Sequence, residues 1–377
     1  MTRKYGVSST GLIAPIIRKG DDLAEIVTDV VLNAIDNIED GDVIGITESI
    51  VARAEGNYVT IDEVAEDIKK VIKNSFEKES KYVKNIVKNP LDSIVLYWPI
   101  YSRNRFAMIL KAFARAANKT IKLYMPDIDE VGNVLHNHPF TNLNYDEYYR
   151  SIVEAEGKEC IIKTGPLENF LEVGDIVIDC RLRLPEIAVE NNQHLTLRDF
   201  CKDKCEYGLL GSNKASEEKL KLFPSKKFCD KVVNEVKANI FNRTLQKKVE
   251  VMVYGDGCFK DPVGGIWEFA DPVTSPAYTK GLEGTPNELK LKNLADEKYA
   301  NLSGKELEEA IKSDIRNKDN NLKGNMVSQG TTPRRYVDLL ASLMDLTSGS
   351  GDKGTPIVYV KRYFQNYGDI KYEWTLF

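Results

Sequence analysis

Residues 20–46 read GDDLAEIVTDVVLNAIDNIEDGDVIGI, and this stretch is the clearest guide to the fold. Apolar side chains recur with a helical period from Leu23 to Ile35, behind two aspartates that suit the positive end of a helix. The acidic turn at 39–42 leads into Val43–Ile46, a short apolar run that is typical of a buried strand. The stretch therefore predicts a helix, a turn and a strand in immediate succession.

The same periodicities extend outward along the chain. Helices are predicted at about 61–76, 103–118, 228–240 and 336–346, and strands at about 94–98, 121–125, 176–178, 249–253 and 356–360. Because these elements follow no regular βαβ rhythm, the predicted fold class is α+β, with mixed α/β content, rather than a doubly wound sheet.

The length of 377 residues exceeds that of one ordinary core, so two domains, or one domain with a large insertion, are predicted. Residues 1–100 and 206–377 are assigned to two parts of one core, and residues 101–205 to an inserted subdomain.

Composition and charge exclude several broad classes of protein. Hydrophobic residues make up 42% of the chain and charged residues 29%, which is typical of a folded protein. No apolar run approaches the length of about 18 residues that a membrane helix needs, and the first residues lack a signal-peptide core. A cytoplasmic protein without a membrane partner is therefore expected. The net charge of −5 and the scattered lysines and arginines disfavour a nucleic-acid partner, which needs a dense basic surface.

Three separated segments carry the residue types that phosphate and metal sites use. The first comprises residues 11–15 and 20–22. The second comprises residues 40–42 before a predicted strand, and residues 47–49 and 53–56 after it. Hydroxyls, backbone amides and an arginine at a strand end can hold phosphate oxygens. The alternative for the second segment is an ordinary strand–loop–helix turn.

The third segment consists of two loops late in the chain. Asp256 stands between two glycines at the end of an apolar strand, a good position for a ligand of a hard cation, although an Asp-Gly turn is the alternative. Residues 348–356 read SGSGDKGTP, whose amides could surround phosphates with added charge from Lys353. A flexible linker is the competing interpretation of this loop.

The order and content of these segments resemble the coenzyme F-420 γ-glutamyl ligase family. The likeness is carried by residues 11–12, 18–25, 39–43 and 54–56, and then by 211–213, 222–224, 256, 265, 269–270 and 348–356. It covers about the first 60 residues and much of 206–360, whereas 101–205 looks like an insertion. The resemblance implies a mixed α+β fold that works as a homodimer.

The resemblance also implies a ligase that uses GTP, or ATP, with Mg²⁺ or Mn²⁺, and K⁺ is a further candidate ion. In that family GTP phosphorylates a substrate carboxylate, and the amine of L-glutamate then attacks the acyl phosphate. The expected partners are L-glutamate and a small carboxylate-bearing acceptor. The alternative is a non-catalytic relative that binds a nucleotide or metabolite as a sensor or scaffold.

The family's functional positions carry over onto named residues of this chain. The implied catalytic residues are Asp256 and Arg53, and the implied metal ligands are Asp256, Asp352 and Glu48. The implied nucleotide-binding residues are Gly11, Leu12, Ile13, Ala14, Glu48, Ser49, Arg53, Asn213, Gly349, Ser350, Gly351 and Lys353.

This chain departs from the family pattern at three metal-associated positions. Leu209 and Leu210 stand where a first metal aspartate is expected, and Gly257 replaces the threonine after the central aspartate. Ser350 replaces the acid of the late glycine-rich loop. Acids that could substitute are Glu48, Asp261, Glu268, Asp271 and Asp352.

Four other groups of polar residues are better explained by ordinary structural roles or have a weaker link to a ligand. They are His136 with His138, the cysteines Cys201 and Cys205, the basic helix bearing Arg103, Arg105, Lys111 and Arg115, and the pair Arg334-Arg335. For the two histidines the alternative is a metal site, and for the two cysteines it is a zinc site. For the basic helix the alternative is a surface for an anionic substrate or nucleic acid, and for the arginine pair it is a ligand contact beside the 348–354 loop.

Overall fold

The computed structural model describes residues 6–98, 104–125, 137, 142–165, 167, 170–180, 193–260, 267–319, 322, 334–349 and 351–369. The chain divides into two compact units. Unit 1 comprises Met1–Ala54, Lys227–Gly255 and Pro272–Phe377, and unit 2 comprises Glu55–Lys226 and Asp256–Asp271.

The described residues form thirteen strands in three sheets. In chain order the strands are β1 (Ser8–Leu12), β2 (Val43–Thr47), β3 (Tyr58–Thr60), β4 (Ser93–Tyr97), β5 (Thr120–Met125), β6 (Glu159–Thr164), β7 (Ile176–Asp179), β8 (Gln193–Thr196), β9 (Ser212–Ser216), β10 (Lys219–Leu222), β11 (Glu250–Lys260), β12 (Trp267–Tyr278) and β13 (Ile357–Lys361).

Ten α-helices accompany the strands within the described part of the chain. They are α1 (Leu23–Ala34), α2 (Glu48–Glu55), α3 (Ile61–Phe76), α4 (Lys81–Ile86), α5 (Asn104–Ala116), α6 (Tyr145–Ala155), α7 (Lys226–Arg243), α8 (Leu291–Asn293), α9 (Gly304–Arg316) and α10 (Tyr336–Ser348). The predicted α+β class, with mixed α/β content, is confirmed.

The central sheet of unit 1 has the strand order β1-β13-β2-β11-β12. β2 pairs in parallel with β11, and β13 pairs antiparallel with both β1 and β2. Consecutive side chains of a strand point to opposite faces, so each strand contributes to two cores. Ile44 and Ile46 of β2 pack with α1, α2 and α7 on one face, whereas Val43 packs with α10 on the other.

The acidic turn before β2 is a structural junction. The buried carboxylate of Asp42 accepts hydrogen bonds from the Tyr359 hydroxyl, from Arg362 N at 3.0 Å and from Glu39 N at 2.8 Å. The Arg362 guanidinium in turn makes two hydrogen bonds to the Glu39 carboxylate, at 2.6 and 3.1 Å. These bonds tie the start of β2 to the end of β13, which explains the acids at 39–42 without assigning them chemistry.

Unit 2 contains a five-stranded sheet in the order β6-β5-β4-β7-β8, and every pairing in it is parallel. The chain runs β4-α5-β5-α6-β6, which is a regular βαβαβ sequence. The strand order reverses beside β4, as in open, doubly wound sheets. The expectation that a regular βαβ rhythm is lacking was therefore wrong for this unit, because α6 and β6 were not recognised in the sequence.

Two cores cover this parallel sheet. Helices α3, α5 and α6 pack on one face through residues that include Ile68, Phe113 and Tyr149. Leu167 packs on the other face against Val95, Tyr124 and Val177 of the strands. No glycine occurs in the sequence WPIYSRN at residues 98–104, so the glycine-rich turn of dinucleotide-binding sheets does not follow β4.

A smaller antiparallel sheet, β3-β10-β9, also lies in unit 2. Unit 2 includes more of the chain than the predicted insertion, since it begins at Glu55 and also contains Asp256–Asp271. Residues 101–205 lie within it, and their assignment as an insertion stays a prediction.

The basic helix of the sequence is α5, and its described cations are paired. Arg115 contacts Glu156 at 2.8 Å, Asp62 at 2.8 Å and Glu218 at 3.1 Å, and Lys111 also pairs with Glu218. These bonds raise the pKa of Arg115 further above its ordinary value. Paired cations of this kind support a structural role for α5.

The two neighbouring cysteines lie in a turn rather than on a helix face. Cys201 adopts a φ of 58° and both cysteines are buried. Burial raises the pKa of each thiol to about 12, so both stay protonated. Within the described ranges the two cysteines belong to no group of three or more potential metal ligands, which favours free, structural cysteines.

In the part of the chain that the structure describes, no helix has the length and apolar character required to span a membrane. His136, His138 and Arg103 lie outside the described residues.

Candidate anion-binding site

A cavity of about 360 Å³ opens in unit 1 beside the central sheet. Its volume is within the range of roughly 300–1,000 Å³ that small-ligand pockets span. The lining comes from three distant parts of the sequence, namely residues 14–17, then Thr47, Ser49, Ile50 and Arg53, then 348–349 with 353–356.

The antiparallel neighbours of β13 bring these three parts together. β13 lies between β1 and β2, so the residues that follow β1 and β2 meet the loop that precedes β13. Ala14 N donates to Gly354 O at 3.1 Å, and Thr47 N donates to Pro356 O at 3.0 Å. The sheet pairing thus positions the pocket walls.

The loop between α10 and β13 is held by local bonds. Gly349 ends α10 with a φ of 63°, a conformation that glycine adopts without strain. The Thr355 hydroxyl donates to Ser348 O at 2.9 Å, closing the loop. The Lys353 side chain lies across Gly349, where a Cβ atom would collide with it. These bonds favour an ordered turn over the competing interpretation as a flexible linker.

Two cations line the pocket. Arg53 is in the last turn of α2, and its Nε donates to Ile17 O at 2.9 Å. Lys353 comes from the loop before β13. Both side chains are exposed at the mouth of the cavity, and among the described residues neither has a carboxylate partner. Two unneutralised cations in one cavity attract an anion.

The start of α2 adds further donors. β2 ends at Thr47 and α2 begins at Glu48, so no loop separates the strand from the helix. The N–H groups of a first helical turn have no partners within the helix and carry the positive end of its dipole. With the hydroxyls of Thr47 and Ser49, these amides give the pocket the donors that bind phosphate oxygens.

Glu48 turns away from this lining and packs against β11. It is 6% exposed, and a Cβ atom at Gly255 would overlap its Cβ and Cγ atoms. Only glycine at position 255 leaves space for the Glu48 side chain. The parallel register pairs Thr47 with Tyr254, so Glu48 lies where β11 passes toward Asp256.

The sequence model of one family, F420-0:Gamma-glutamyl ligase, matches residues 11–362, which is nearly the whole chain. The chain belongs to the F420-0:gamma-glutamyl ligase family. The match includes residues 101–205, which the resemblance noted in the sequence did not cover. No curated protein matches the chain. Membership in this family supports a γ-glutamyl ligase activity in general terms.

The structure brings together part of the residue set implied by the family. Ala14, Ser49, Arg53, Gly349 and Lys353 all line the anion-binding cavity of unit 1. The cavity lining also includes Ile16, Ile17 and Ile50, which were not selected from the sequence. Their apolar residue type gave no signal for a phosphate site.

Other implied residues of the ligase have different surroundings. Gly11 faces Thr355, Leu12 is buried in the core of unit 1, and Ile13 is 78% exposed. Asn213 is exposed on β9 in unit 2. Gly351 and Asp352 form a short 3-10 helix with Lys353, and Ser350 lies outside the described residues.

The metal ligands implied by the family resemblance do not form one cluster of oxygen donors among the described residues. Asp352 is exposed and outside the cavity lining, and Glu48 packs on Gly255. The side chains of Asp256, Glu268 and Asp271, and all of Asp261, lie outside the described residues. Within the described ranges no group of three or more acidic, histidine or cysteine side chains could hold a metal ion. The described residues alone therefore do not make a divalent-metal site.

Arg335 is close to the 348–354 loop only in sequence. It precedes α10 and pairs with Asp338 through bonds of 2.7 and 2.9 Å. The loop follows the other end of this 13-residue helix, which at 1.5 Å per residue is roughly 20 Å long. The closeness in sequence that suggested a ligand contact for Arg334-Arg335 is therefore not closeness to this loop in space, because a helix separates them.

Proposed function

We propose that the chain is a nucleotide-dependent γ-glutamyl ligase whose anion-binding cavity holds the polyphosphate of GTP or ATP. The observation that carries the proposal is the meeting of Arg53, Lys353 and the first turn of α2 in one cavity. These groups supply two positive charges and several N–H and O–H donors. A polyphosphate needs that combination, and an uncharged ligand does not.

The chemistry of the proposed reaction explains why such a cavity is useful. A carboxylate is a poor electrophile, so a phosphoryl group is first transferred to an oxygen of the acceptor's carboxylate. The amine of L-glutamate then attacks the acyl carbon, the C–O bond to phosphate breaks, and inorganic phosphate leaves as the amide forms. Arg53 and Lys353 would stabilise the charge that develops on the transferred group.

The remaining parts of the proposal come from the family resemblance. Mg²⁺ or Mn²⁺, with K⁺ as a further ion, would accompany the nucleotide, and Asp256 is the first residue to test as a ligand. A small carboxylate-bearing acceptor, a homodimeric assembly and a cytoplasmic location belong to the same proposal. Family membership supports glutamate-type substrates in general.

Thermal unfolding of the full chain with nucleotide tests this proposal. A ligand that binds only the folded state raises the unfolding midpoint as its concentration exceeds its Kd. We expect stabilisation by GTP or ATP in the presence of Mg²⁺ or Mn²⁺, and phosphate release when L-glutamate and an acceptor are added. Absence of stabilisation by every nucleotide–metal pair would contradict the proposal.

A second candidate function is binding without catalysis. Leu209 and Leu210 stand where the family pattern has a metal aspartate, and both are buried in the core of unit 2. An Asp256→Asn variant separates the two functions. If the protein is a ligase, the variant should lose turnover and keep part of its nucleotide binding. If it is a sensor, the wild type has no turnover, and the variant should keep the full nucleotide-induced stabilisation.

A further inference from the structure

A second cavity of about 360 Å³ lies in unit 1 and shares no lining residue with the anion-binding cavity. It is formed by the segment before α8, the end of α9, the start of α10 and the turn after β13. Neither the family resemblance nor the proposed reaction assigns it a role.

Aromatic rings make one wall of this second cavity. Tyr336, Tyr363 and Phe364 pack edge to face, with ring centroids 5.2–6.3 Å apart and interplanar angles of 78–87°. Phe364 is 36% exposed, so part of its ring surface is accessible to a ligand. Rigid aromatic walls of this kind bind the apolar part of a small ligand at low entropic cost.

Two opposite charges line the same cavity without pairing with each other. Glu288 is exposed, and among the described residues its carboxylate has neither a hydrogen bond nor an ion-pair partner. Lys318 donates to Asn287 O, and its ammonium group retains two further N–H donors. Separated charges of opposite sign complement a ligand that carries both charges itself.

We propose that this cavity binds a free α-amino acid, with the ligand's ammonium group at Glu288 and its carboxylate at Lys318. The side chain of the amino acid would lie against Tyr336, Tyr363 and Phe364. The size of the cavity suits one amino acid or a very small peptide. The two charges of the lining set the orientation of the bound ligand.

The same residues define the preferred side chain of the ligand. Lys318 is the one cationic side chain among the described residues of the lining, so a second carboxylate would find no second cation to pair with. An apolar or aromatic side chain instead meets ring surface and Ile315. The cavity is therefore expected to prefer L-phenylalanine or L-leucine over L-glutamate, which separates it from the site of the proposed reaction.

Isothermal titration calorimetry of the full chain with L-phenylalanine tests the proposal. N-acetyl-L-phenylalanine lacks the ammonium group and L-phenylalanine amide lacks the carboxylate, so each compound removes one of the two ionic contacts. A hydrogen bond between charged groups contributes enough that its loss weakens binding by about tenfold or more. We expect that loss with each analogue.

Variants of the two charged residues make the test specific to this cavity. Glu288→Gln and Lys318→Gln should each weaken L-phenylalanine binding by about tenfold. Glu283→Gln, at an exposed acid outside the lining, should leave binding unchanged. Equal affinity for the N-acetyl analogue, equal affinity of Glu288→Gln, or no saturable binding at all would overturn the proposal.

The outcome is independent of the proposed ligase function. Lys353→Ala should leave L-phenylalanine binding intact, because Lys353 does not line the second cavity. Glu288→Gln should in turn leave nucleotide-induced stabilisation intact. Failure of the amino-acid proposal with nucleotide binding preserved is thus distinguishable from failure of the ligase proposal.

Discussion

Arg53 Nε donates a hydrogen bond of 2.9 Å to the main-chain oxygen of Ile17. This bond joins the last turn of α2 to the segment that follows β1, and Gly20 N reinforces the junction by donating to Ala54 O at 2.9 Å. One nitrogen of the guanidinium is used for structure, and the rest of the group belongs to the cavity lining. Arg53 therefore holds the cavity wall in place and also gives the lining a positive charge.

The first prediction concerns the two cations of the anion-binding cavity. Arg53→Ala and Lys353→Ala should each weaken nucleotide or inorganic polyphosphate binding by about ten- to hundredfold, because each removes a charge-assisted bond. Titration calorimetry at two salt concentrations measures the loss. Lys305→Ala, at an exposed lysine of α9, is the control and should bind as the wild type does. Unchanged affinity in both cavity variants would remove the basis for an anion site.

The second prediction concerns the contact between Glu48 and Gly255. Gly255→Ala should lower the free energy of unfolding by about 2–3 kcal/mol, because the new methyl group overlaps the Glu48 side chain. Urea unfolding measures the change. Gly6→Ala is the control, since nothing lies within 4 Å of the added atom there.

A double variant shows whether Glu48 is the cause. Gly255→Ala combined with Glu48→Ala should be less destabilised than the sum of the two single variants, because the Glu48 Cγ atom, which comes closest to the new methyl group, is gone and only Cβ remains. Simple additivity would mean that the glycine is required for another reason.

The third prediction concerns pH and the Glu39–Arg362 pair. The guanidinium of Arg362 lowers the pKa of Glu39 from 4.5 to about 2. A carboxylate with a depressed pKa stabilises the fold fully above its ordinary pKa, and this contribution is lost as the pH falls from about 4.5 toward 2. Glu39→Gln should therefore cost about 1–2 kcal/mol at pH 7 and much less near pH 2.

Unfolding of Glu39→Gln and wild type across this pH range measures the difference. Glu283→Gln is the control, because this exposed acid of unit 1 forms no ion pair among the described residues. A loss of stability in Glu39→Gln that is equal at pH 7 and pH 2 would be inconsistent with the ion pair.

The fourth prediction concerns Arg115 of α5. Its side chain is 25% exposed and bonds to Glu156, which is 16% exposed, so Arg115→Gln leaves a poorly solvated carboxylate without its partner. We expect a loss of about 1–3 kcal/mol in the free energy of unfolding. Arg243→Gln is the matched control, since Arg243 also pairs with two acids but at 42% exposure. An equal loss in both variants would show that burial does not strengthen the Arg115 network.

The sequence was a good guide to individual elements with strong local patterns. The apolar period at Leu23–Ala34 and the apolar runs in β2, β4 and β13 identified helices and buried strands at nearly their observed positions. Helix α6 and strand β6 were missed because polar residues interrupt their patterns, and without them the parallel sheet of unit 2 was not foreseen.

The candidate site shows a similar division. Ser49, Arg53 and Lys353 were selected from residue type and family resemblance, and all three line the cavity. Glu48, adjacent in sequence to Ser49, points to Gly255 instead, because neighbouring residues at the start of a helix face different directions. Arg335 was placed near the loop by sequence distance alone, which a 13-residue helix makes misleading.

By itself the sequence determined the helices and strands with strong apolar patterns, the mixed α/β class and the family, because apolar periodicity and local turn chemistry are properties of neighbouring residues. Only the tertiary structure decided that residues 14–17, 47–53 and 348–356 share one cavity, since that depends on β13 pairing between β1 and β2. Pairing of distant strands follows from how whole cores pack, and no single segment of the chain contains that information.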